Sequence, residues 1–352
     1  MSKVKAIKSS TLASDKQIAT PSRSDRYKME KRLGEGGFCE VFKAKDTITG
    51  MYVAIKRTDR SKPTYQKYSS AEVEKKIKKI MYKEAAIMKS LNHENLLKFF
   101  ELIDDEVNIF LVIELAEGGE LFEFIISRGK LSEKDATVIM EQIMNAVHYM
   151  HTQGFIHRDI KPENVLFKSP DENSKIVLAD FGLSRQIDDY MLTSCGTMDY
   201  SAPELLKSKS TKVPYSCKID NWSIGVVCYI LLCGYPPFYS LNQDDQEIKK
   251  MILLGNYQFH SPHWNIISKA AKSLIASLLK VNASDRISLD QALKHQWITM
   301  GGNTKDIYPI IETSLKETIA RQRWRCLGLT ANAIHSLSLA SPTLTTRYGI
   351  EK

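Results

Sequence analysis

The sequence lacks a long apolar run. None of its 352 residues belong to a stretch of about 18 consecutive apolar residues, so a transmembrane helix is not expected. The most apolar segment, 224–235, is too short to span a bilayer and is typical of a buried helix. The first residues show neither the apolar core of a secretory signal nor a glycine at position 2 for myristoylation, so neither kind of targeting is expected.

Cysteine is scarce as well. The chain has six cysteines and no CxxC pair, which argues against a disulfide framework and against a cysteine-based zinc site. A reducing compartment is the simplest interpretation. We therefore predict a cytoplasmic protein and leave the nucleus open.

The excess of positive charge lies at the two ends of the chain. The net charge is +8, but residues 1–26 hold six basic and two acidic residues, and residues 299–352 hold seven and four. The middle, residues 27–298, is therefore nearly neutral, and a nucleic-acid-binding surface is not expected there. Residues 1–26 are rich in Ser, Thr and Lys and predict a mobile basic arm.

The apolar pattern divides the middle of the chain into two parts. Short strand-like runs alternate with turn residues up to Glu114, interrupted by a helix-like stretch at 71–91 that is dense in Lys and Glu. Beyond Glu120 the period becomes helical, and in 135–152 the apolar stripe consists of Val138, Ile139, Ile143, Ala146, Val147 and Met150. Strands first and helices afterwards predict an α+β fold with two lobes.

A glycine-rich motif lies between two predicted strands. Gly34, Gly36 and Cys39 occupy GxGxxG-like positions, and Val41 follows. Glycines let a backbone approach phosphates, but this motif alone fits a simple hairpin turn equally well. A strand follows it, whereas a Rossmann fingerprint requires a helix.

Two residues of opposite charge are candidates for holding phosphate groups. Lys56 ends the run Val-Ala-Ile-Lys, and Glu84 lies in the predicted helix at 71–91. Together they would position phosphate oxygens. Each taken alone also fits a solvated side chain, on an edge strand for Lys56 and on a helix surface for Glu84.

The most specific signal is the segment His157-Arg158-Asp159-Ile160-Lys161-Pro162-Glu163-Asn164. It places a base, a cation and a metal ligand on one loop, and Asp180-Phe181-Gly182 supplies a second metal ligand sixteen residues later. Ala202-Pro203-Glu204, Asp220 and Arg286 follow in that order. Any one tripeptide occurs by chance, but the ordered set with these spacings does not.

This ordered set resembles the eukaryotic protein kinase family over about residues 27–298. The resemblance implies a bilobal fold, with a mainly-β lobe at 27–115 and a mainly-α lobe at 116–298, and a reaction that uses ATP and Mg²⁺. The positions that it assigns to ATP binding are Leu33, Gly34, Gly36, Val41, Ala54, Lys56, Glu84, Glu114, Ala116 and Leu166.

The resemblance also implies catalytic and structural roles. Asp159 would orient the substrate hydroxyl and accept its proton, while Lys161 would neutralise charge near the γ-phosphate. Asn164 and Asp180 would hold Mg²⁺. The positions with structural roles are Arg158, Glu204, Asp220 and Arg286, and Ile113 would be the gatekeeper beside the adenine.

Three features depart from the family pattern. Cys39 replaces the third glycine, as either a small filler or an oxidisable thiol. Met198 stands where such kinases usually have proline, which puts in doubt the shape of the pocket for the residue after the phosphoacceptor. Residues 57–75 form a basic insert, which we interpret as a solvated loop.

The segments Tyr229–Phe238 and Gly118–Phe122 resemble the calcium/calmodulin-dependent kinase group. In that group, the positions of Glu120 and Glu163 receive an arginine three residues before the target Ser or Thr, and two carboxylates bind one guanidinium strongly. The alternative for Glu120 is a helix-start residue that favours the helix dipole.

Thr193 is a candidate phosphorylation site. It precedes Thr197 by four residues, and Arg158 is the residue with which such kinases bind an activation-loop phosphate. An upstream activating kinase would then be a partner.

Residues 299–352 contain a second regulatory candidate. Arg321, Arg323 and Arg325 surround Trp324, and Leu337 follows thirteen residues after that tryptophan. The helical apolar face consists of Ala320, Trp324, Leu327, Ala331 and Ile334. A basic amphipathic helix with a bulky anchor is typical of calmodulin targets, although Gly328 weakens the helix.

This segment is similar to the autoinhibitory and calmodulin-binding tail of type I calcium/calmodulin-dependent kinases. The alternative is a helix packed permanently on the large lobe. The sequence shows no EF-hand loop, so calcium sensing would have to come from calmodulin. We predict a monomer, with an active kinase independent of calmodulin and a pseudokinase scaffold as the rival interpretations.

Overall fold

The computed structural model describes residues 23–35, 39–59, 71–105, 107–186, 198–207, 216–240, 242 and 244–339. Within these, residues 71–74, 76, 77, 185, 186 and 324–339 are described by their backbone alone. Two predicted functional residues, Gly36 and Thr193, lie outside the described residues, as do residues 1–22 of the arm and 60–70 of the insert. The side chains of Trp324, Arg325, Leu327 and Leu337 are likewise outside the description.

The first lobe is an antiparallel sheet with one long helix. Its elements are β1 (Tyr27–Glu35), β2 (Glu40–Asp46), β3 (Tyr52–Asp59), α1 (Ala71–Ser90), β4 (Phe99–Asp104) and β5 (Asn108–Glu114). The strands lie in the order β1-β2-β3-β5-β4, and α1 packs against β4 and β5. The strands agree with the strand-like pattern up to Glu114, and α1 agrees within one residue with the helix predicted at 71–91.

One face of this sheet packs into an apolar cluster, and the other carries the candidate site residues. Val53 and Ile55 of β3 point into a small apolar cluster with Phe110 and Val112 of β5. Because side chains alternate along a strand, Ala54 and Lys56 point to the opposite face. Register places Ala54 opposite Lys43 and Lys56 opposite Val41, so these four residues share one face.

The second lobe is mainly helical. Its strands are the short β6 (Gly119–Glu120), β7 (Phe155–Ile156), β8 (Val165–Phe167), β9 (Ile176–Leu178) and β10 (Arg185–Gln186). Its helices are α2 (Leu121–Arg128), α3 (Glu133–Thr152), α4 (Pro203–Leu206), α5 (Lys218–Cys233), α6 (Asp245–Leu254), α7 (Lys269–Leu278), α8 (Leu289–Leu293), α9 (Gln296–Thr299) and α10 (Tyr308–Leu339).

The helix α5 is the centre of the large lobe. Every residue from Ile219 to Cys233 is buried, which agrees with the buried helix predicted from the apolar segment 224–235. It packs against α3, α7 and α10. A helix that is apolar on all sides is stable only when neighbours cover its whole circumference.

The helix α3 begins at a capping box, in which Ser132 and Asp135 satisfy each other's free backbone N–H groups. Its predicted apolar stripe is buried at Ile139, Ile143 and Val147, but the prediction was wrong for Val138, which is half exposed. The apolar spacing of a helix defines a stripe about 100° wide, and Val138 lies at its edge, beyond the reach of the core.

The helix α10 divides into two stretches. In the first, Ile311, Leu315 and Thr318 are buried, and the Thr318 hydroxyl donates to the carbonyl of Gly234 at 2.7 Å. Gly234 has φ +85°, and a Cβ there would lie 2.7 Å from the Ile311 carbonyl oxygen, so this close approach requires glycine. The second stretch, from residue 319, carries the predicted regulatory motif.

Within the described part of the chain, no helix is both long and apolar enough to cross a bilayer.

Candidate active site

Lys56 joins the two lobes across the cleft between them. Its Nζ lies 2.9 Å from both carboxylate oxygens of Glu84 on α1 and 3.2 Å from Oδ1 of Asp180, which follows β9. Burial alone would lower the pKa of Lys56, but the two carboxylates outweigh burial and raise it, so the ammonium stays charged. The sequence left open that Lys56 and Glu84 are solvated side chains. Both alternatives are wrong, because Glu84 is buried and bonded to Lys56.

The predicted catalytic loop, residues 157–164, is held in place by Asp220 in the first turn of α5. Its carboxylate accepts the backbone N–H groups of His157 and Arg158, each at 2.9 Å, and bonds His151 Nε2 at 2.8 Å. Burial alone would raise the pKa of Asp220, but these donors outweigh burial and hold it below its usual range. The contact fixes Arg158 at φ +71°, a conformation that costs energy for a residue with a side chain.

Asp159 lies directly after this strained residue. Asn164 donates its amide to the backbone carbonyl of Asp159 at 2.7 Å and to Oδ2 at 2.9 Å, and Lys161 Nζ lies 2.8 Å from the same Oδ2. The structure thus brings together the three residues that the loop motif singled out. A carboxylate held by one cation and one amide is ready to accept a hydrogen bond from an incoming hydroxyl.

Asn164 and Asp180 are suited to a hard divalent cation. Because the Asn164 amide nitrogen is committed to Asp159, its oxygen remains for a metal ion. Burial alone would raise the pKa of Asp180, but Lys56 outweighs burial and lowers it, so this carboxylate stays ionised. One carboxylate and one amide oxygen, completed by substrate phosphates, are typical of Mg²⁺ sites.

The described residues contain no group of three or more His, Cys, Asp or Glu side chains that could hold a metal ion.

The predicted adenine site lies where the sheet face meets the connection between the lobes. Ala54 opposes Ile113 of β5, the predicted gatekeeper, and Ala116 follows in the connection with its side chain partly buried. Leu166 of β8 pairs with Val177 on the side of the large lobe. Ala54 and Leu166 thus come from opposite lobes, so they could contact the two faces of an adenine ring placed between the lobes.

The glycine-rich turn precedes this face. Gly34 pairs with Val41, and Leu33 is half exposed at the end of β1. Among the described residues, no atom lies within 4 Å of the place that a Cβ at Gly34 would occupy, so the space beside the backbone is open there.

Cys39 is a filler and not an activated thiol. Its Sγ lies 3.2 Å from Thr58 Oγ1 and 3.9 Å from Met81 Sδ on α1. Burial raises the pKa of the Cys39 thiol, whereas reactive cysteines have a lowered pKa. Of the two alternatives for this position, the structure favours packing.

Glu204 and Arg286 anchor the segment that leads out of the site. Arg286 is buried, and its guanidinium bonds both oxygens of Glu204 at 2.9 and 3.1 Å and also the carbonyls of Lys218 and Lys280. A bidentate pair of this kind fixes both position and orientation. Met198, which stands where kinases of this type usually have proline, begins a short turn. Its side chain is partly buried and packs against the core of the large lobe.

An acidic surface lies beside the catalytic loop. Burial raises the pKa of Glu120, and the charge of Glu163 raises it further. Burial raises the pKa of Glu163 as well. Glu120 immediately precedes α2 and its side chain makes no capping hydrogen bond, while its place at the start of the helix is the one that the helix-dipole alternative requires.

The second stretch of α10 lies on this acidic surface. Arg323 forms an ion pair with Glu123 in the first turn of α2, and its charge opposes the rise in the pKa of Glu120. Gln322 donates to the hydroxyl of Tyr200, which belongs to the turn next to the catalytic loop. Arg321 is exposed and pairs with Glu317 of its own helix at 3.8 Å.

Several of these partners were missed in the sequence. His151, Glu123, Tyr200 and Gln322 carry no local signal, because each matters only through a residue distant in the chain. Glu123 and Arg323 are 200 positions apart.

Comparison with known proteins agrees with this geometry. Residues 27–298 match the family model described as protein kinase domain. A calcium/calmodulin-dependent protein kinase type 1 from Macrobrachium nipponense is 40% identical over 327 residues, which cover 92% of this chain and 90% of that protein. The protein of the same name from Caenorhabditis elegans is 39% identical over 320 residues, covering 90% and 86%. Human calcium/calmodulin-dependent protein kinase type 1B is 38% identical over 310 residues, covering 87% and 85%.

Proposed function

The chain belongs to the protein kinase family, and on this premise we propose that it transfers the γ-phosphate of ATP to serine or threonine hydroxyls of proteins. The observation that carries the proposal is the joint placement of Lys56, Glu84, Asp159, Asn164 and Asp180 in one cleft. A scaffold without activity would have no use for this complete set.

The residues act by position and charge. Lys56 would hold phosphate oxygens, and Asn164 and Asp180 would hold Mg²⁺, which supplies positive charge to the phosphates when bound. Asp159 would accept a hydrogen bond from the substrate hydroxyl and orient its oxygen toward the phosphorus, while Lys161 would offset charge on the phosphoryl oxygens. Asp220 keeps this loop in place.

The test is phosphoryl transfer from Mg·ATP to an Arg-x-x-Ser peptide, with Asp159→Asn as the decisive variant. We expect kcat to fall by about a hundredfold or more, because the base is lost while Lys56 still binds the nucleotide. Asp171→Asn changes an exposed carboxylate in the same lobe and is the matched control. Equal rates for Asp159→Asn and the wild type would contradict the assignment.

We propose that Glu120 and Glu163 select substrates with an arginine three residues before the target. The charge of Glu163 raises the pKa of Glu120, so the two carboxyl groups interact, and the positive charges that act on them are Lys161 and, for Glu120, also Arg323 of the tail. A substrate guanidinium would relieve the repulsion between the two carboxylates.

This selectivity should weaken as the pH falls. The raised pKa values of Glu120 and Glu163 mean that these groups take up protons at a higher pH than ordinary glutamates, and a neutral carboxyl no longer attracts arginine. We expect the ratio of kcat/KM for Arg and Ala peptides to decrease from pH 7.5 toward mildly acidic pH. Glu120→Gln should lower the ratio at neutral pH by about tenfold.

Glu141→Gln, an exposed change on α3, is the control for this measurement. An unchanged ratio in Glu120→Gln and in Glu163→Gln would exclude these two residues from arginine recognition.

We propose further that the tail inhibits the kinase until calcium–calmodulin removes it. The support is threefold: Arg323 lies on the acidic surface, Gln322 bonds Tyr200 beside the catalytic loop, and relatives are calmodulin-dependent kinases by name. One helix face cannot contact the kinase and calmodulin at the same time, so binding of calmodulin would shift the population toward the free site.

Deletion of residues 320–352 should raise the activity measured without calmodulin. The cut leaves Ile311, Leu315 and Thr318 in place, because these residues are part of the core of the large lobe. In the full-length chain, Trp324→Ala should abolish stimulation by calcium–calmodulin, since the bulky anchor is lost. Arg347→Ala is the control, a charge removed outside the predicted motif.

Equal activity of the full-length chain and the shortened chain would contradict autoinhibition. Stimulation that survives Trp324→Ala would contradict the anchor assignment alone.

We propose that phosphorylation of Thr193 raises activity. A phosphate there would carry a charge of about −2, and Arg158, held next to Asp159 by Asp220, would supply positive charge to pair with it. After treatment with an activating kinase, Thr193→Ala should remain at basal activity, whereas the neighbouring change Ser194→Ala should be activated like the wild type. Full activation of Thr193→Ala would contradict the proposal.

A further inference from the structure

Another of the ion pairs that join the lobes lies at the solvent side of the cleft. Lys43 Nζ on β2 lies 2.6 Å from Oε1 of Glu117, which follows the connection between the lobes. Neither residue belongs to a motif of the sequence, and neither has a role in the proposed reaction. Glu117 is about half exposed, with a relative side-chain accessibility of 52%, so this pair stands at the mouth of the cleft.

The strand register shows that Lys43 points into the cleft. Lys43 is two residues from Val41 and lies opposite Ala54, while Val41 lies opposite Lys56. These side chains share one face of the sheet. This face is turned toward the large lobe, because Lys56 contacts Asp180 there. The cleft face therefore contacts the large lobe through two lysines, Lys56 at its inner end and Lys43 at its outer end.

Both members of the outer pair are positioned by neighbours. Lys43 Nζ lies over the ring of Tyr52 at 4.2 Å from its centroid, a cation–π contact that restricts the side chain. The backbone N–H of Glu117 donates to the carbonyl of Lys168 at 3.0 Å, and this ties Glu117 to the large lobe. The hydrogen bond to Glu117 also raises the pKa of Lys43, so the Lys43 ammonium stays charged at neutral pH.

We propose that Lys43 and Glu117 form an electrostatic latch that holds the lobes together over a bound nucleotide and slows its release. A nucleotide between Ala54 and Leu166 can leave only when the lobes separate, and separation breaks the Lys43–Glu117 contact. The latch acts on the position of the lobes and not on the reacting atoms. The inference rests on the proposed function, since the nucleotide is its substrate.

The direct measurement is the rate at which a fluorescent ADP analogue, mant-ADP, leaves the full-length protein when excess ATP is added. Lys43→Met and Glu117→Gln should each speed release by about two- to fivefold, the range expected for an exposed ion pair. KM for ATP should rise by a similar factor, while kcat does not fall. A purely structural role would lower kcat and the thermal midpoint instead.

Two further variants sharpen the result. The exchanged pair, Lys43→Glu with Glu117→Lys, should restore slow release, because the attraction is kept with its charges reversed. Asp290→Asn removes the local ion pair between Asp290 of α8 and Lys294, which directly follows that helix, and should leave the release rate unchanged. Raising the salt from about 0.05 M to about 0.5 M should speed release from the wild type and have little effect on Lys43→Met.

The outcomes separate the latch from the proposed function. Release rates equal to the wild type in both single variants would overturn the latch and leave the kinase assignment intact. Fast release from the exchanged pair would overturn it too, because the two charges would then act independently. Failure of the wild type to bind mant-ADP at all would overturn both the latch and the nucleotide substrate.

Discussion

A buried negative charge at Asp220 is the constraint on which the site depends. The carboxylate has no exposure to solvent, and burying it without donors would cost several kcal/mol. The donors are the backbone of His157 and Arg158 and the ring of His151. The chain therefore keeps Arg158 in a strained conformation, and that strain directs Asp159 into the cleft. The loop at 157–164 is thus fixed to α5, a helix that is buried on all sides, through Asp220.

The same helix also holds the tail. Asp220 lies in the first turn of α5, and Gly234 directly follows its last residue, where Thr318 of α10 binds the carbonyl of Gly234. One element of the core consequently positions Asp159 at one end and α10 at the other. The two stretches of α10 differ in what they contact. Tyr308 to Thr318 complete the large lobe, while Gln322 and Arg323 contact the surface beside the site.

Charged contacts join the lobes at the cleft, in addition to an apolar cluster that contains residues of both lobes, among them Met88 and Phe181. Lys56 reaches Asp180 at the inner end, and Lys43 reaches Glu117 at the outer end. Charged contacts of this kind form and break without exposing apolar surface, which suits a cleft that must admit and release a charged substrate. The proposed latch, Lys43–Glu117, and the proposed inhibitory contact of the tail, Arg323–Glu123, are both exposed ion pairs. Such pairs have modest strength, so their loss should leave the fold intact.

The sequence by itself predicted the two-lobed architecture and the residues that the structure brings together in the cleft. Alternating and helical periods predicted the strands and the long helices, and the loop motif named Asp159, Lys161 and Asn164, because these signals are local and their spacing is short. Val138 shows the limit of such signals, since a periodic pattern defines a stripe but not where its edge meets a neighbour.

Only the tertiary structure decided which charges meet. Lys56 and Glu84 had equally good explanations as solvated side chains until the cleft joined them. Lys43 with Glu117, and Arg323 with Glu123, left no trace in the sequence at all. An ion pair between distant segments is set by the packing of the elements that carry it, and that packing is a property of the whole fold.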